Sequence, residues 1–277
     1  MKNVLSIAGS DCSAGAGIQA DLKTFVANGV YGMTVITSLT AQNPQKVKML
    51  EDVSIEMLEK QTEAIFDVME VSAVKIGMLN SKENGEVIYE KLLKYKAKNI
   101  VLDPVMIATS GNSLIKDETK DFLVNKLFKI VDIITPNLDE TKEIVKIILN
   151  NENIENIDSI EKMKNYGKVI ADFTKKWVLI KGGHLSNSAV DILMNKDEIY
   201  ILEGEKISSN NTHGTGCSLS SAIASNLAKS YSMLDSVKKA KNFVLSSIKN
   251  SVDFGEIAGT VNQMGEIYKN IDIEKLY

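Results

Sequence analysis

The sequence predicts an α/β protein whose mostly parallel sheet lies between two layers of helices. Short runs of apolar, often β-branched residues alternate along the chain with longer segments in which apolar residues recur at helical spacing. This alternation is typical of strand–helix–strand units, which build parallel sheets with right-handed crossovers. The parallel strands that we expect on this ground comprise residues 4–8, 34–37, 73–76, 100–102, 133–134 and 177–180.

The segments between these strands are amphipathic, as helices that pack on a sheet must be. Ile18, Leu22 and Phe25 fall on one face of a helix, and the apolar residues of 159–174 repeat with the same spacing. Because parallel strands end at the same edge of a sheet, we expect ligands at the carboxyl ends of the strands.

One part of the chain departs from the parallel pattern. In residues 190–208, two short apolar runs flank residues 195–198, whose composition is typical of a turn. We expect a small antiparallel flap there. The asparagine-rich stretch 150–158 is predicted to be a surface loop, because helical patterning resumes directly after it. The pattern therefore favours a single domain over residues 1–277.

Composition and charge limit the partners of the chain. The 277 residues carry a net charge of -4, which argues against bulk capture of nucleic acid or of an anionic membrane. No apolar stretch approaches the ~20 residues that cross a bilayer, and the apolar run 4–8 is too short for a secretory signal. With only Cys12 and Cys217 present, we expect reduced thiols and a cytoplasmic location. The predicted partner is a small molecule.

A glycine-rich turn before a helix is the most informative chemical signal. Gly214 and Gly216 precede a helical segment of small and apolar residues, 217–228. Glycines permit a turn that aims backbone N–H groups, and the positive end of a helix dipole, at an anion. The same pattern fits a tight turn and a helix packed closely on the sheet. Phosphate binding and close packing are therefore both open on this segment alone.

Two common nucleotide-binding motifs do not occur. The chain has no Gly-x-x-x-x-Gly-Lys-Ser/Thr sequence, so it is not a P-loop protein. A glycine-rich loop, residues 9–17, does follow the first predicted strand, but it lacks the Gly-x-Gly-x-x-Gly spacing. A Rossmann dehydrogenase is therefore disfavoured.

Several segments resemble the successive motifs of one kinase family. They are SIAGSDCSAGAGIQADLKTF (6–25), YGMTVIT (31–37), TAQN (40–43), KIGML (75–79), LDPVM (102–106), ITPN (134–137), KGGH (181–184) and THGTGCSLS (212–220). In this order they resemble the hydroxymethylpyrimidine/phosphomethylpyrimidine kinases of the ribokinase superfamily. No single motif would justify the family, but together they cover most of the chain.

The resemblance implies a three-layer α/β/α ribokinase-like fold, the use of ATP and Mg²⁺, and a homodimer. It implies an enzyme of thiamine biosynthesis that phosphorylates 4-amino-5-hydroxymethyl-2-methylpyrimidine and then converts the monophosphate to the diphosphate. A pyridoxal or pyridoxine kinase of the same branch and a nucleotide-binding module without catalysis stay open as alternatives. Residues 259–263 depart from the family's usual glycine-rich ending followed by Pro-Val-Asn/His-His, which leaves the role of the C-terminal segment open.

By resemblance, phosphoryl transfer falls to residues near two predicted strand ends. Gly214, Thr215, Gly216 and Cys217 resemble the family's anion hole. Cys217 also takes the place of the catalytic base, and a thiol at a helix N-terminus can have a lowered pKa. Its alternative role is to supply only a backbone N–H. Lys181 resembles the family's phosphate-contacting lysine, a role that suits a flexible point charge.

Metal ligands are expected among the acids that follow strands. Mg²⁺ usually takes one or two carboxylates together with phosphate oxygens and water. Asp103 and Glu140 are the candidates, and Asn137 would support them. For Glu140 the alternative is an acid in the first turn of a helix that stabilises the helix dipole. His184 and His213 lack a matching acidic set, so we assign them to loop structure or to a place beside phosphate.

The substrate side of the site is assigned by the same resemblance. Asp21 resembles the residue that meets the substrate hydroxymethyl group, and its alternative is a solvated acid on a helix. Gly9, Met78 and Val105 would shape the ring pocket, with ordinary packing as their alternative role. Gln42 offers a carbonyl acceptor beside an NH2 donor, a pair that complements the edge of a 4-aminopyrimidine.

Overall fold

The computed structural model describes residues 1–106, 115–183 and 189–270. Its strands are β1 (Asn3–Asp11), β2 (Tyr31–Asn43), β3 (Lys46–Asp52), β4 (Ala73–Ile76), β5 (Ile100–Leu102), β6 (Ile133–Ile134), β7 (Trp177–Ile180), β8 (Asp191–Met194) and β9 (Ile199–Leu202). These strands form one sheet in the order β3-β2-β1-β4-β5-β6-β7-β8-β9.

Helices cover both faces of the sheet. Helices α1 (Gly17–Ala27), α7 (Thr215–Ala228) and α8 (Met233–Lys249) pack on one face, where they share a buried core with apolar side chains of the strands. The opposite face is covered by α2 (Ile55–Phe66), α3 (Lys82–Lys94), α4 (Asp117–Asn125), α5 (Leu138–Leu149) and α6 (Ile160–Thr174). A 3-10 turn (Leu127–Lys129) and α9 (Gly265–Asn270) complete the described elements. The predicted three-layer α/β/α fold is confirmed.

Strand direction divides the sheet into a parallel centre and antiparallel edges. β2, β1, β4, β5, β6 and β7 pair in parallel, while β3, β8 and β9 run antiparallel to their neighbours. The predicted hairpin at residues 190–208 is present as β8 and β9, and it extends the main sheet. The sequence reading missed β3. Its residues are almost all exposed, and an edge strand without a buried face leaves no clear apolar alternation to detect.

The parallel register brings the carboxyl ends of β1, β4, β5, β6 and β7 to one edge of the sheet. The register of β1 against β2 shifts between Ala8 and Ser10, so Gly9 lies at a bulge near this edge. Among the described helices, none combines the length and the apolar character that crossing a membrane requires.

Candidate active site

Polar residues that follow three neighbouring strands meet at the carboxyl edge of the sheet. Asp103 comes directly after β5, Lys181 directly after β7, and Asn137 caps the helix that follows β6. The backbone of Lys181 continues the parallel pairing beyond the strands, since its N–H donates to the Pro136 carbonyl at 2.9 Å. The sheet therefore fixes the relative positions of these residues.

Asp103 and Lys181 form an ion pair at this edge. The Lys181 ammonium donates to Asp103 Oδ1 at 2.8 Å, and the Thr135 hydroxyl donates to the same oxygen at 3.1 Å. Burial opposes ionisation of Asp103, but the positive charges of Lys181 and Lys75 hold the pKa of its carboxyl below the ordinary value. For Lys181, burial favours the neutral amine, yet Asp103 and Glu140 raise its pKa above the ordinary value. Both groups are therefore charged at neutral pH.

Glu140 caps its own helix. The Asn137 side chain accepts from the Glu140 N–H, and the Glu140 carboxylate accepts from the Asn137 N–H, each at 2.8 Å, which makes a capping box. The carboxyl group is buried. Burial raises the pKa of Glu140 to about 7, and this rise is opposed by Lys181 and increased by Asp103. Glu140 is thus an acid in the first turn of its helix, as its alternative role requires, and it also caps that helix together with the side-chain oxygen of Asn137.

The raised pKa of Glu140 gives a pH-dependent stability that can be measured. Because the folded pKa of about 7 exceeds the ordinary 4.5, the folded state holds the proton more tightly than the unfolded chain. The resulting stabilisation is complete below pH 4.5 and is lost as the pH rises to about 7. We expect the melting temperature of Glu140→Gln to fall less than that of the wild type between pH 5 and pH 8.

Thermal melts at the two pH values test this expectation. Asp139→Asn is the matched control, because Asp139 lies in the same helical turn but is exposed, and it should follow the wild type. An equal decline in all three proteins would show that Glu140 does not carry a raised pKa.

The oxygen atoms at this edge fit the coordination that Mg²⁺ prefers. Among the described residues there is no cluster of three or more His, Cys, Asp or Glu side chains that could hold a metal alone. Mg²⁺ does not need such a cluster, because it keeps several waters and is bound by one or two carboxylates plus substrate phosphates. Asp103, ionised and adjacent to Glu140, provides that kind of partial site.

The turn before α7 lies against the Asp103–Lys181 pair. A Cβ placed on Gly216 would lie 3.3 Å from Asp103 Oδ2 and 3.5 Å from Lys181 Nζ. Gly214 is the N-cap of α7 and has a φ of +88°, in the left-handed region, and a Cβ there would overlap the carbonyl oxygen of Gly15. Glycine is thus required by conformation and by space at residue 214. An anion held by the first turn of α7 would lie beside the ion pair.

Thr215 contributes to this turn in a different way than we expected. Its N–H donates to the Thr212 carbonyl at 3.2 Å, and its hydroxyl bonds to the same oxygen. These bonds close the turn internally. The Thr215 N–H is therefore engaged, and the N–H groups of Gly216 and Cys217, which a helix leaves without intrahelical partners, are the ones positioned for an anion.

Cys217 lies at the third position of α7 and is part-exposed. The lowered pKa that a thiol at a helix N-terminus can have is not found at Cys217. Burial raises the pKa of the Cys217 thiol to about 11, and the negative charges of Asp21 and Asp103 add to the rise. The positive charge of Lys75 and a hydrogen bond from the Gly17 backbone act in the opposite direction without reversing it. Desolvation therefore outweighs the charge of Lys75 and the hydrogen bond from Gly17 in setting the pKa of this thiol.

The loop after β1 and the turn before α7 are joined by a histidine. His213 Nε2 lies 3.3 Å from Asp11 Oδ2. The Asp11 carboxylate also accepts from the backbone N–H groups of Ser13 and Ala16, both at 2.8 Å. Burial alone would raise the pKa of Asp11, but hydrogen bonds from His213, Ser13 and Gln42 bring it well below the ordinary range. His213 is thus a loop-structuring residue beside the glycine-rich turn.

The C-terminal segment packs on the same turn. Val261 donates its N–H to the His213 carbonyl at 3.1 Å, and Thr260 pairs with His213 as a parallel bridge. The Gln263 side chain donates to the Ser218 hydroxyl, in the first turn of α7, at 3.0 Å. The segment that departs from the expected family ending therefore supports the glycine-rich turn through its backbone and through one buried amide.

A small apolar wall lies on the β1 side of the site. A Cβ on Gly9 would lie 2.9 Å from Met78 Cε and 2.9 Å from Ser38 Oγ, so only glycine leaves Met78 its position. Met78 and Val105 are both part-exposed, and Val105 is tied to the Asp103 carbonyl by its N–H at 2.9 Å. Gln42 is also part-exposed, near the end of β2. This geometry brings together the predicted ring-pocket residues Gly9 and Met78.

The comparisons with known proteins agree with this geometry. The model of the phosphomethylpyrimidine kinase family matches residues 11–262. The chain belongs to the phosphomethylpyrimidine kinase family. The hydroxymethylpyrimidine/phosphomethylpyrimidine kinase of Aquifex aeolicus is 43% identical over 253 residues, which are 91% of this chain and 96% of that protein. The prediction of a small-molecule kinase is therefore confirmed.

Solved structures place the same family among its structural neighbours. The phosphomethylpyrimidine kinase of Clostridium difficile has a TM-score of 0.78 and 43% identity to this chain. The match covers 90% of this chain and 100% of that chain. An ADP complex of Bacillus subtilis pyridoxal kinase has a TM-score of 0.87 but only 32% identity, over 97% of this chain and 99% of that one. The chain thus shares its fold with both kinds of kinase. Of these two structures, the phosphomethylpyrimidine kinase has the higher sequence identity to this chain.

In this chain, Asp21 does not face the pocket as predicted. Its side chain is fully buried, and its carboxylate accepts from Ser6, Lys75 and Ser221. The oxygens are occupied because α1 packs directly on α7, which closes that side of the helix to solvent. In this structure Asp21 belongs to the interior of the kinase. His184, the other histidine considered above, lies outside the described residues.

Lys75 is the residue whose importance the sequence reading missed. It lies in the motif KIGML, and a lysine between Val74 and Ile76 in a strand of apolar residues is itself a signal. A buried lysine needs a partner, because an unpaired buried charge costs several kcal/mol. The partner could not be named from the sequence, since Asp21 lies on a helix distant in the chain.

Proposed function

We propose that this kinase transfers the γ-phosphoryl group of ATP to 4-amino-5-hydroxymethyl-2-methylpyrimidine, and then phosphorylates the monophosphate to the diphosphate, as a step of thiamine biosynthesis. One observation carries the proposal. The glycine-rich turn of α7 lies directly against the Asp103–Lys181 pair, with Gly216 in contact range of both side chains. A γ-phosphate held by this turn would meet an ammonium donor and a carboxylate able to share a metal ion.

The nucleotide end of the site follows from this arrangement. The N–H groups of Gly216 and Cys217 and the ammonium group of Lys181 would stabilise the charge on the transferred phosphoryl group, the term that dominates such reactions. Mg²⁺ bound through Asp103, and through Glu140 directly or by water, would neutralise charge on the ATP phosphates. The ADP complex of the related pyridoxal kinase supports a nucleotide in this fold. ATP and Mg²⁺ are therefore the proposed cofactors.

At the acceptor end, Cys217 is the proposed base. Its thiolate would accept the proton of the substrate hydroxyl while the hydroxyl oxygen attacks the γ-phosphorus and ADP leaves. With a thiol pKa raised to about 11, the thiolate is the minor form at neutral pH, so turnover should increase as the pH rises. Gly9, Met78 and Val105 would line the pyrimidine ring.

Gln42 is the proposed specificity residue for the pyrimidine. Its side chain contributes to the low pKa of Asp11, and an interaction with that carboxylate would orient the amide. A fixed amide presents its carbonyl oxygen to the exocyclic amino group of the pyrimidine and its remaining N–H to a ring nitrogen. Pyridoxal carries a phenolic oxygen on the corresponding side and leaves part of the amide unpaired, at a cost of ~1–3 kcal/mol.

Competing acceptors test the proposed function directly. We expect the wild type to phosphorylate hydroxymethylpyrimidine with a higher kcat/KM than pyridoxal, and Gln42→Met to raise the KM for the pyrimidine and narrow that preference about tenfold or more. A coupled assay of ADP release with both acceptors and with the pyrimidine monophosphate measures it. Gln45→Met, at an exposed position in the turn that follows β2, is the control. A wild-type preference for pyridoxal would overturn the pyrimidine assignment.

The remaining predictions concern organisation. One sheet that contains every described strand supports a single kinase domain over residues 1–277. The homodimer and the cytoplasmic location stay predictions, which a sedimentation measurement and a cell fractionation would test.

A further inference from the structure

A buried ion pair lies beneath the first turns of α7. The Lys75 ammonium is 2.8 Å from Asp21 Oδ2, and both side chains are completely buried. Val74 and Ile76 belong to the core on the α2–α6 face, so strand alternation turns Lys75 towards α1 and α7. Burying two charges usually gives little or no net stability compared with apolar side chains of similar volume. A role other than stabilising the fold is therefore worth seeking for this pair.

The Asp21 carboxylate joins four elements. Its Oδ2 accepts from Ser6 of β1 at 2.5 Å and from Lys75 of β4, and its Oδ1 accepts from Ser221 of α7 at 2.7 Å. Asp21 itself lies on α1. Ser221 comes four residues after Cys217, which puts the two on the same side of α7, one turn apart. The carboxylate is thus linked to the turn that carries Cys217 through one turn of helix.

The composition of α7 makes such a link necessary. Every residue from 218 to 228 is buried, and most of them are serine or alanine. Small side chains permit close packing but interlock weakly, so apolar contacts alone hold a smooth helix poorly against displacement along its axis. Hydrogen bonds from α7 to fixed partners have direction and length, and they set that position. In the first two turns, Ser221 donates to Asp21 and Gln263 donates to Ser218, and both bonds tie α7 to other parts of the chain.

We infer that the Asp21–Lys75 pair is a positioning element for phosphoryl transfer. Lys75 orients the Asp21 carboxylate, Asp21 holds Ser221, and Ser221 fixes the position of the Gly214–Cys217 turn relative to Asp103 and Lys181. The inference rests on the proposed function, since it concerns the same site. Lys75, Asp21 and Ser221 are buried in the interior and would not touch the reacting atoms.

The effect is one of position more than of charge. Lys75 lowers the pKa of the Cys217 thiol, whereas Asp21 raises it, so the two influences oppose one another. Removing both charges together therefore changes the field at Cys217 less than removing one. The geometric consequence remains, because Ser221 loses its acceptor.

Two serine variants separate positioning from ordinary packing. Ser221→Ala removes the bond to Asp21. Ser225→Ala is the matched control, because Ser225 lies one turn further along α7, is equally buried, and donates only to the Ser221 carbonyl of its own helix. Since a displacement near 1 Å costs up to ~100-fold in rate, we expect Ser221→Ala to lower kcat about tenfold or more, with the KM for the acceptor within threefold. Ser225→Ala should keep the wild-type kcat.

A second experiment replaces the pair without leaving a charge unpaired. The double variant Lys75→Met with Asp21→Leu substitutes apolar side chains and leaves no charge unpaired, so the fold should be kept, and a thermal melt checks this. We expect the melting temperature of the double variant to lie within a few degrees of the wild-type value. Its kcat should be lowered about tenfold or more. If Asp21 instead met the substrate, the KM for the acceptor would rise in the double variant while Ser221→Ala stayed normal.

The outcomes are distinct from those of the proposed function. All variants are assayed with whichever acceptor the wild type uses best, so a different substrate leaves this measurement intact. If Ser221→Ala and the folded double variant both keep kcat within threefold of the wild type, the positioning role is wrong. The same conclusion follows if Ser225→Ala loses as much kcat as Ser221→Ala.

Discussion

Replacing Cys217 with alanine is expected to lower kcat by about 100- to 10,000-fold while the KM for ATP stays near its wild-type value. The magnitude is that of a positioned base. The substitution keeps the backbone N–H at the third position of α7, so it removes the thiol without removing the proposed contact with the phosphate. Steady-state kinetics of ADP release with varied ATP and a saturating acceptor measure both constants.

The pH dependence of kcat gives a second and independent test of the role of Cys217. Because the thiol pKa is raised to about 11, the thiolate fraction grows throughout the range from pH 7 to pH 9. We expect the wild-type kcat to rise with pH over this range and the residual kcat of Cys217→Ala to be flatter. Cys217→Ser is the isosteric comparison, and its hydroxyl should not rescue the rate. If both variants retain near-normal turnover, Cys217 supplies only its backbone N–H.

Replacing Gly214 with alanine is expected to abolish most of the activity, by about 100-fold or more. Two effects combine at this position. The φ of +88° strains any residue with a Cβ, and that Cβ would overlap the Gly15 carbonyl oxygen. The turn and the loop after β1 must then separate, which moves the N–H groups of Gly216 and Cys217 relative to Lys181. A displacement near 1 Å is enough for a loss of this size.

Gly255 supplies the matched control for the strain alone. Its φ is +79°, but nothing lies within 4 Å of a Cβ placed there. Gly255→Ala should therefore cost about 1–2 kcal/mol of stability and leave kcat unchanged. Kinetics and thermal melts of the two variants, run side by side, separate the steric effect from the backbone effect. If the kcat of Gly214→Ala is close to that of Gly255→Ala, phosphoryl transfer does not depend on the position of the turn before α7.

The sequence predicts those strands and site residues whose local pattern is distinctive. The strands β5, β6 and β7 begin and end where their apolar runs do, because strands covered on both faces have continuous hydrophobic sequences. The placement of Asp103 and Lys181 at one edge follows from the parallel order alone. The exposed edge strand β3 was missed for the opposite reason, since nothing in its sequence distinguishes an inner from an outer face.

By itself, the sequence determined the layered α/β fold, the kinase family through the order of its motifs, and the presence of a glycine-rich turn before α7. Only the tertiary structure decided the electrostatics. The thiol pKa of Cys217 is raised instead of lowered, Asp21 pairs with Lys75 in the interior, and Glu140 caps a helix beside the charges of Asp103 and Lys181. Such properties depend on desolvation and on partners distant along the chain, and neither is encoded in local spacing. The type and order of the residues therefore determine which reactive groups the chain has. Packing determines the protonation state of each of these groups.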